Sequence, residues 1–405
     1  MKILPYLFAF TLSVSSVFAT VDHAYVCNQG GTSVTIIDVV VGTTQAIFGF
    51  NHPRTVHLNP EGTLAFIGCD DNTVRVVETA SELVLPITVS VPHPIAMAVS
   101  PNAHFLYVAC HDNTVRVIDT STYTVVSEIT GFDNLQDIKV SRNGKFIYVT
   151  NAGSNTVSVI DASSNTIVET ITGFHKPIGI TMSIDGTFAY VTETSHNTVS
   201  VIDLATNTIS KTIYGFSFPA YATASPNKNF IYVANTGSNT VSVIRTDDNF
   251  SVYEIPIPTP KSMAVSADGF FLYIGSIATV YKIDLITYTI LAAIPGFSNP
   301  SNIELSSNSA PAFTVNGCFD DNDPMNLKNI ISWGAVNGTP TQYRIFRDAS
   351  LGHLVATVPS GTLHYTESHL LAGQSYSYYV LADYPNGFSS TIGSVRVAPQ
   401  RLCQN

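Results

Sequence analysis

From His23 onward the chain alternates apolar and polar residues in short runs, and the runs recur. The stretch Phe146 to Asp161, FIYVTNAGSNTVSVID, returns as FAYVTETSHNTVSVID and again as FIYVANTGSNTVSVIR. Period-two alternation of this kind predicts strands with one face buried. In the copy that begins at Phe146, the segments FIYVTN, TVSVID, TIVETITGF and IGITMS predict four strands. AGSN, ASSN, HKP and IDGT predict the breaks between them. Gly, Asn, Asp and Ser suit such turns because they tolerate left-handed backbone or bond their own main chain. The Asp that closes the second strand of most copies (Asp38, Asp119, Asp161, Asp203, Asp284) reads as a turn residue rather than a catalytic one. Helical spacing persists nowhere for more than a few residues.

One aromatic residue marks each copy: Tyr25, Phe66, Tyr107, Tyr148, Tyr190, Tyr232 and Tyr273, in steps of 41, 41, 41, 42, 42 and 41. Seven copies of four strands at this period predict an all-β, seven-bladed β-propeller. A single four-stranded blade cannot cover both its faces, whereas blades packed radially cover one another. The first copy lacks an innermost strand and the last has one to spare in SNIELS, Ser301 to Ser306. Ile303 to Leu305 is therefore expected to complete the blade begun at Tyr25, a 3+1 closure that hides sheet edges.

The phrases YVTN, NTVSVID, TITGF followed by Pro, and SIDGTFAYVT resemble the YVTN-family β-propeller repeat of exported surface proteins. The resemblance covers about residues 23–310 in register and departs from the family phrase at FIGC (Phe66 to Cys69), YVAC (Tyr107 to Cys110) and YIGS (Tyr273 to Ser276). It implies an exported, surface-layer type of protein.

Beyond Pro311 the period vanishes. NIISWGA, TQYRIFRD, HLVATVPSGTLHYTES, LLAGQSYSYYVLADYPNG and GSVRVAP predict short strands over 311–405. The pattern resembles a fibronectin type III (Ig-like) β-sandwich, which implies Trp333 and Tyr343 in its core and Tyr376 as tyrosine-corner residue. In that topology Cys318 and Cys403 fall near one pole, so a Cys318–Cys403 disulfide is expected. The short SSNSAP connection, Ser306 to Pro311, suggests a hinge.

Composition narrows the function. Of 405 residues, 45% are hydrophobic and only 12% charged, with net charge −11. An acidic chain without Lys/Arg clusters is a poor partner for nucleic acid or an anionic membrane surface. Met1 to Thr20 pairs Lys2 with an apolar run and Val17-Phe18-Ala19, which reads as a signal peptide over 1–19. A short membrane anchor is the alternative; on the first reading no membrane span remains after cleavage, and the mature propeller domain covers 20–310. The expected location is periplasm, cell surface or medium.

The loops entering the innermost strand and those between the second and third strands share one face, around the channel mouth. The polar residues that vary between copies gather there: His52, Asp70, Asp71, His93, His111, Asp112, His175, Lys176, Glu193 and His196. Pairing Val99 with Phe105 sets His93 opposite His111, with Cys110 and Asp112 beside them. His, Cys and Asp suit a transition metal; equally, they suit loop positions and strand ends in a repeat. The residues call for no cofactor other than that divalent metal. No Gly-x-Ser-x-Gly elbow, phosphate loop, CxxC or haem motif occurs. The residues favour a non-enzymatic binding or scaffold protein that presents this face to a protein or glycan. The alternative is a metal-dependent enzyme resembling lactonases or streptogramin lyases.

Overall fold

The computed structural model describes residues 23–39, 42–226, 230–267 and 269–306, together with strands and some flanking residues between 313 and 402. The signal-peptide segment, the 307–312 connection and Cys403 lie outside the described residues. No helix occurs among them. Seven four-stranded antiparallel sheets form the blades. Blade 1 is Pro300–Leu305, His23–Asn28, Ser33–Asp38 and Thr44–Phe48. Blades 2 to 7 run over residues 53–90, 94–129, 135–171, 177–214, 219–256 and 262–295. Each innermost strand lies beside the next, and Pro300–Leu305 lies between Ser262–Val265 and Pro53–Leu58, which closes the ring.

The closure is the expected one. Val26 pairs with Ile303 and Ala24 with Leu305, antiparallel. The His23 amide donates to the Ser306 hydroxyl at 2.9 Å, extending the seam by one residue. The apolar faces of adjacent blades interdigitate around the marker aromatics, all buried to 1% exposure or less. Burial on this scale is the main stabilising term, since a blade alone would leave it wet. At two of these sites the tyrosine hydroxyl also reaches the next blade. Tyr148 donates to Asn207 at 2.9 Å and Tyr190 to Asn249 at 2.7 Å, both in turns one blade on.

In blades 2 to 6 the innermost strand carries a β-bulge just after its first residue. The bulge frees amides that the sequence satisfies locally. Asp137 and Gly179 amides donate to the hydroxyls of Thr150 and Thr192, each at 2.9 Å. The same hydroxyls donate onward to Ile178 and Ala220 carbonyls in the following blade. At Gly179 a β-carbon would stand 2.8 Å from the Ala220 oxygen, so glycine is required by the close approach of blades 5 and 6.

The third-to-outer turns behave as the recurring Asp suggested. Asp119, Asp161, Asp203 and Asp284 accept from the backbone amide two residues on at 2.7–2.9 Å. Hydroxyl and amide donors hold the exposed Asp119 and Asp161 carboxyls below the usual range.

Beyond the ring, Phe313–Asp320 pairs with Asp323–Trp333 and, in parallel, with Arg401–Leu402, and His364–Leu370 joins the same sheet. A second sheet orders Leu354–Pro359, Gln342–Arg347, Tyr376–Asp383 and Ser389–Val397. Tyr343, Ile345 and Val380 are buried in it. Phe346 joins the apolar cluster at the seam of blades 7 and 1, with Phe270, Phe271 and Ile303.

One register differs from expectation. Val99 pairs with Leu106, not Phe105, because the turn closes on the Ser100 amide and the Phe105 carbonyl. The bulge after Pro94 then takes up the extra residue, and Pro94 pairs with Cys110. Truncating Ile303 to Ala in the closing strand is expected to cost about 2–4 kcal/mol, read as a lower denaturant midpoint. A loss under about 0.5 kcal/mol would show that the closing strand does not hold the ring.

Candidate functional site

The face carrying the variable loops is built on a strained ring. His52, His93, Asn134, Lys176, Phe218, Thr259 and Asn299, where the chain turns toward each innermost strand, have φ between 40° and 55°. For non-glycine residues this costs roughly 1 kcal/mol or more each, and the surroundings hold it. On one side, the amides of His93, Asn134, Lys176, Phe218 and Thr259 donate to Asn72, Asn113, Asn155, Asn197 and Asn239 side chains at 2.7–2.8 Å. Those asparagines sit in the preceding blade and themselves occupy the left-handed region, which Asn tolerates. On the other side, the carbonyls of His52, His93, Asn134, Lys176, Phe218 and Asn299 accept amides of the blade they enter at 3.0–3.4 Å. The ring is thus a set of clamped positions whose side chains differ: two His, two Asn, one Lys, one Phe and one Thr.

The expected site residues fall on this face in three groups. His93 and His111 do meet, edge to face with ring centroids 5.5 Å apart. Asp70 Oδ1 lies 3.5 Å from His93 Nε2. His52 donates from Nδ1 to the Gln29 carbonyl at 2.8 Å. In blade 5 the rings of His175 and His196 lie against each other, tilted by 46° with centroids 3.7 Å apart. There the buried Glu193 carboxylate accepts the His175 amide at 2.6 Å, lies 3.3 Å from its Nδ1, and accepts the Ser200 hydroxyl. Lys176 follows on the clamped ring.

Other residues of the set are structural. Asp71 and Asp112 accept Thr73 and Thr114 hydroxyls and pair with Arg75 and Arg116 at 3.4 and 3.2 Å. Cys69 and Cys110 occupy the place filled elsewhere by Asn28, Asn151 and Asn235, whose amides bond hydroxyls of the third strand. Where that hydroxyl is replaced by Arg75 or Arg116, the strand end is apolar and a cysteine fills it. Cys110 is fully buried, with Sγ 3.5 Å from the Val108 carbonyl. Among the described residues no three His, Cys, Asp or Glu side chains are placed to hold a metal ion.

A second feature escaped the sequence reading. The channel between the innermost strands holds a cavity of about 340 Å³ lined by Arg54, His57, Asp137, Lys139, Tyr221, Asn302 and Glu304 among others. His57 Nδ1 and a Glu304 oxygen lie 3.6 Å apart. Both keep some side-chain surface open, toward the channel and toward a second hollow beside the Asn59–Gly62 turn. Burial pushes Glu304 up to about 7, against the pull of Lys139. Burial, with Lys139 repulsion, pushes His57 down to about 3. Near neutral pH the pair is an uncharged imidazole beside a carboxyl that titrates. Asp137 is committed elsewhere: its oxygens accept the Ile138 and Ile180 amides at 2.8 and 3.0 Å and the Lys139 ammonium at 3.3 Å. The available signal was ionisable residues inside strands expected to be buried, in PRTVHL, LQDIKV and PSNIEL.

Fold and site define a seven-bladed propeller with a clamped rim over a polar channel. Residues 55–278, more than half of the chain, match the family described as SMP-30/Gluconolactonase/LRE-like region, and the chain belongs to that family. No curated protein matches it. Among solved structures, "Kuenenia stuttgartiensis Hydrazine Synthase" is 22% identical, with TM-score 0.57 over 68% of this chain and 92% of that one. A functionally unknown protein from Desulfotomaculum acetoxidans DSM 771 is 15% identical, with TM-score 0.64 over 71% and 99%. At these identities the likeness shows the fold alone.

The channel pair makes a signed prediction. Glu304 binds its proton more tightly folded than unfolded, so its contribution is lost as pH rises from 4.5 through about 7. His57 runs the other way, its contribution lost as pH falls from 6.5 through about 3. Glu304→Gln should therefore raise the denaturant midpoint at pH 8, by about 1 kcal/mol after allowing for channel water, and leave it nearly unchanged at pH 4. Equal shifts at both pH values would contradict the assignment.

Proposed function

We propose that the chain is an exported, non-enzymatic binding propeller of YVTN type whose rim docks a protein or glycan partner. The observation that carries this reading is the clamped ring. Backbone strain held in place by bonds on both sides is the way a fold preorganises side chains for recognition. The ring bears different chemistry in each blade, while the strands beneath repeat. Phe218 and Ile277 stand on this face 59% and 60% exposed, beside Lys176 and the two histidine pairs, which gives apolar anchors with polar neighbours.

The C-terminal strands fit the role of a fibronectin type III-like spacer. Their two sheets support this: Phe313–Asp320, Asp323–Trp333 and His364–Leu370, with Arg401–Leu402 at one edge, form the first, and Gln342–Arg347, Leu354–Pro359, Tyr376–Asp383 and Ser389–Val397 form the second. The pairing of Cys318 with Arg401 brings the chain ahead of Cys403 beside Cys318, which supports the disulfide. Such a bridge would contribute roughly 2–4 kcal/mol.

The alternative, a metal-dependent lactonase- or lyase-like enzyme, draws support from the family, which includes enzymes, and from the channel pair. Its donor set is the weak point, because Asp137 is committed to amides and Cys110 to the core. The channel residues do not fit a resident metal: among the described residues no three His, Cys, Asp or Glu side chains come together there.

The test is a glycan array and a panel of immobilised extracellular proteins, probed with the full chain and with a His93→Ala, Lys176→Ala, Phe218→Ala variant. Binding by the wild type and a loss of tenfold or more in the variant, at unchanged thermal midpoint, are expected. Binding indifferent to the rim, or hydrolysis of lactone substrates that rises with added zinc, manganese or calcium, would overturn the reading.

A further inference from the structure

Arg54 is the second residue of Pro53–Leu58 and lines the upper channel with Gln29, Gln136 and Tyr221. Among the described residues no carboxylate lies within ion-pair reach of its guanidinium; its polar partner is His93 Nε2 at 3.4 Å. The channel acids are engaged, Asp137 with two amides and Lys139, Glu304 with His57. A half-buried guanidinium with forked donors and no anion is a vacant half of a charge-assisted pair.

We propose that the upper channel binds a small organic carboxylate, seated on the Arg54 guanidinium and the Tyr221 hydroxyl. The cavity, about 340 Å³, is of the size that holds a small molecule. Tyr221 reaches the same space from blade 6 and is 41% exposed there. Burial keeps its phenol protonated despite the opposing charge of Arg54, so it donates. A carboxylate fits better than phosphate. Its single charge matches Arg54, which among the described arginines and lysines lining the cavity has no ion pair, since Lys139 is bonded to Asp137 at 3.3 Å. The site differs from the rim reading: its ligand enters the channel, while a macromolecule would stay above it.

The experiment is isothermal titration of the full chain with acetate, lactate, benzoate and, as a separate arm, inorganic phosphate, at constant ionic strength. A saturable single site for lactate or benzoate with Kd of about 1 mM or tighter is expected. Arg54→Gln should weaken it about tenfold, Arg54→Lys less, and Tyr221→Phe a few-fold, with Lys145→Gln on a distant turn as the unaffected control. Circular dichroism and thermal midpoints verify that each variant is folded; Arg54→Lys keeps the charge if Arg54→Gln fails to fold. Equal affinity in wild type and the folded Arg54 variants, no saturable carboxylate binding, or tighter binding of phosphate than of lactate would overturn the proposal.

Discussion

Everything in this molecule depends on the fact that a four-stranded blade has two apolar faces and no means of covering either alone. Each face must meet a neighbour, so the sheets must close on themselves. The closing bond is the pairing of Pro300–Leu305 with His23–Asn28, which joins the two ends of the repeat array in one blade. It removes two edges and gives the first and last copies their missing neighbours. The buried Lys282 shows how strictly the seam is kept: its ammonium donates to the Val39 carbonyl at 3.0 Å and lies 4.2 Å from the Phe271 ring. A charge is tolerated there because it is bonded and stacked.

Closure sorts the positions of each repeat into two kinds. Residues facing a neighbouring blade are held to one size and chemistry, and they form the recurring phrase. Residues on the rim or facing the channel touch no neighbouring blade in the same way and are free to differ. The rim is nonetheless rigid, because the asparagine of one blade and an amide of the next both grip the turning residue. The channel is narrow enough that His57 and Glu304 lose much of their water and move in opposite directions from their ordinary values.

The sequence was informative in proportion to repetition. The marker aromatics located the blades, and the spare apolar strand at Ile303 located the closure, because both follow from a period. The meeting of His93 with His111 was also legible, though by a path with one compensated error: a longer turn and a bulge shift the register and restore it. Cys110, set beside the histidines either as a metal ligand or as a small hydrophobe at a strand end, is fully buried, as the second reading expects. The channel was missed. Arg54, His57, Lys139 and Glu304 lie in strands that read as buried, and only the ring geometry shows that the innermost strand of a propeller turns some side chains into water. The clamp was invisible because it joins an asparagine to an amide 20 or 21 residues away, across a turn whose left-handed backbone has no letter of its own.

The central claim is that the rim is a preorganised surface and not a set of loose loops. Amide hydrogen exchange on the full chain, resolved by peptide, measures this directly. The account predicts that amides of His93, His111, Lys176, Phe218 and Thr236 exchange nearly as slowly as the strands they join. Exchange at the rate of open surface loops would mean that the clamps do not hold, and the ring would lose its claim to be the binding face.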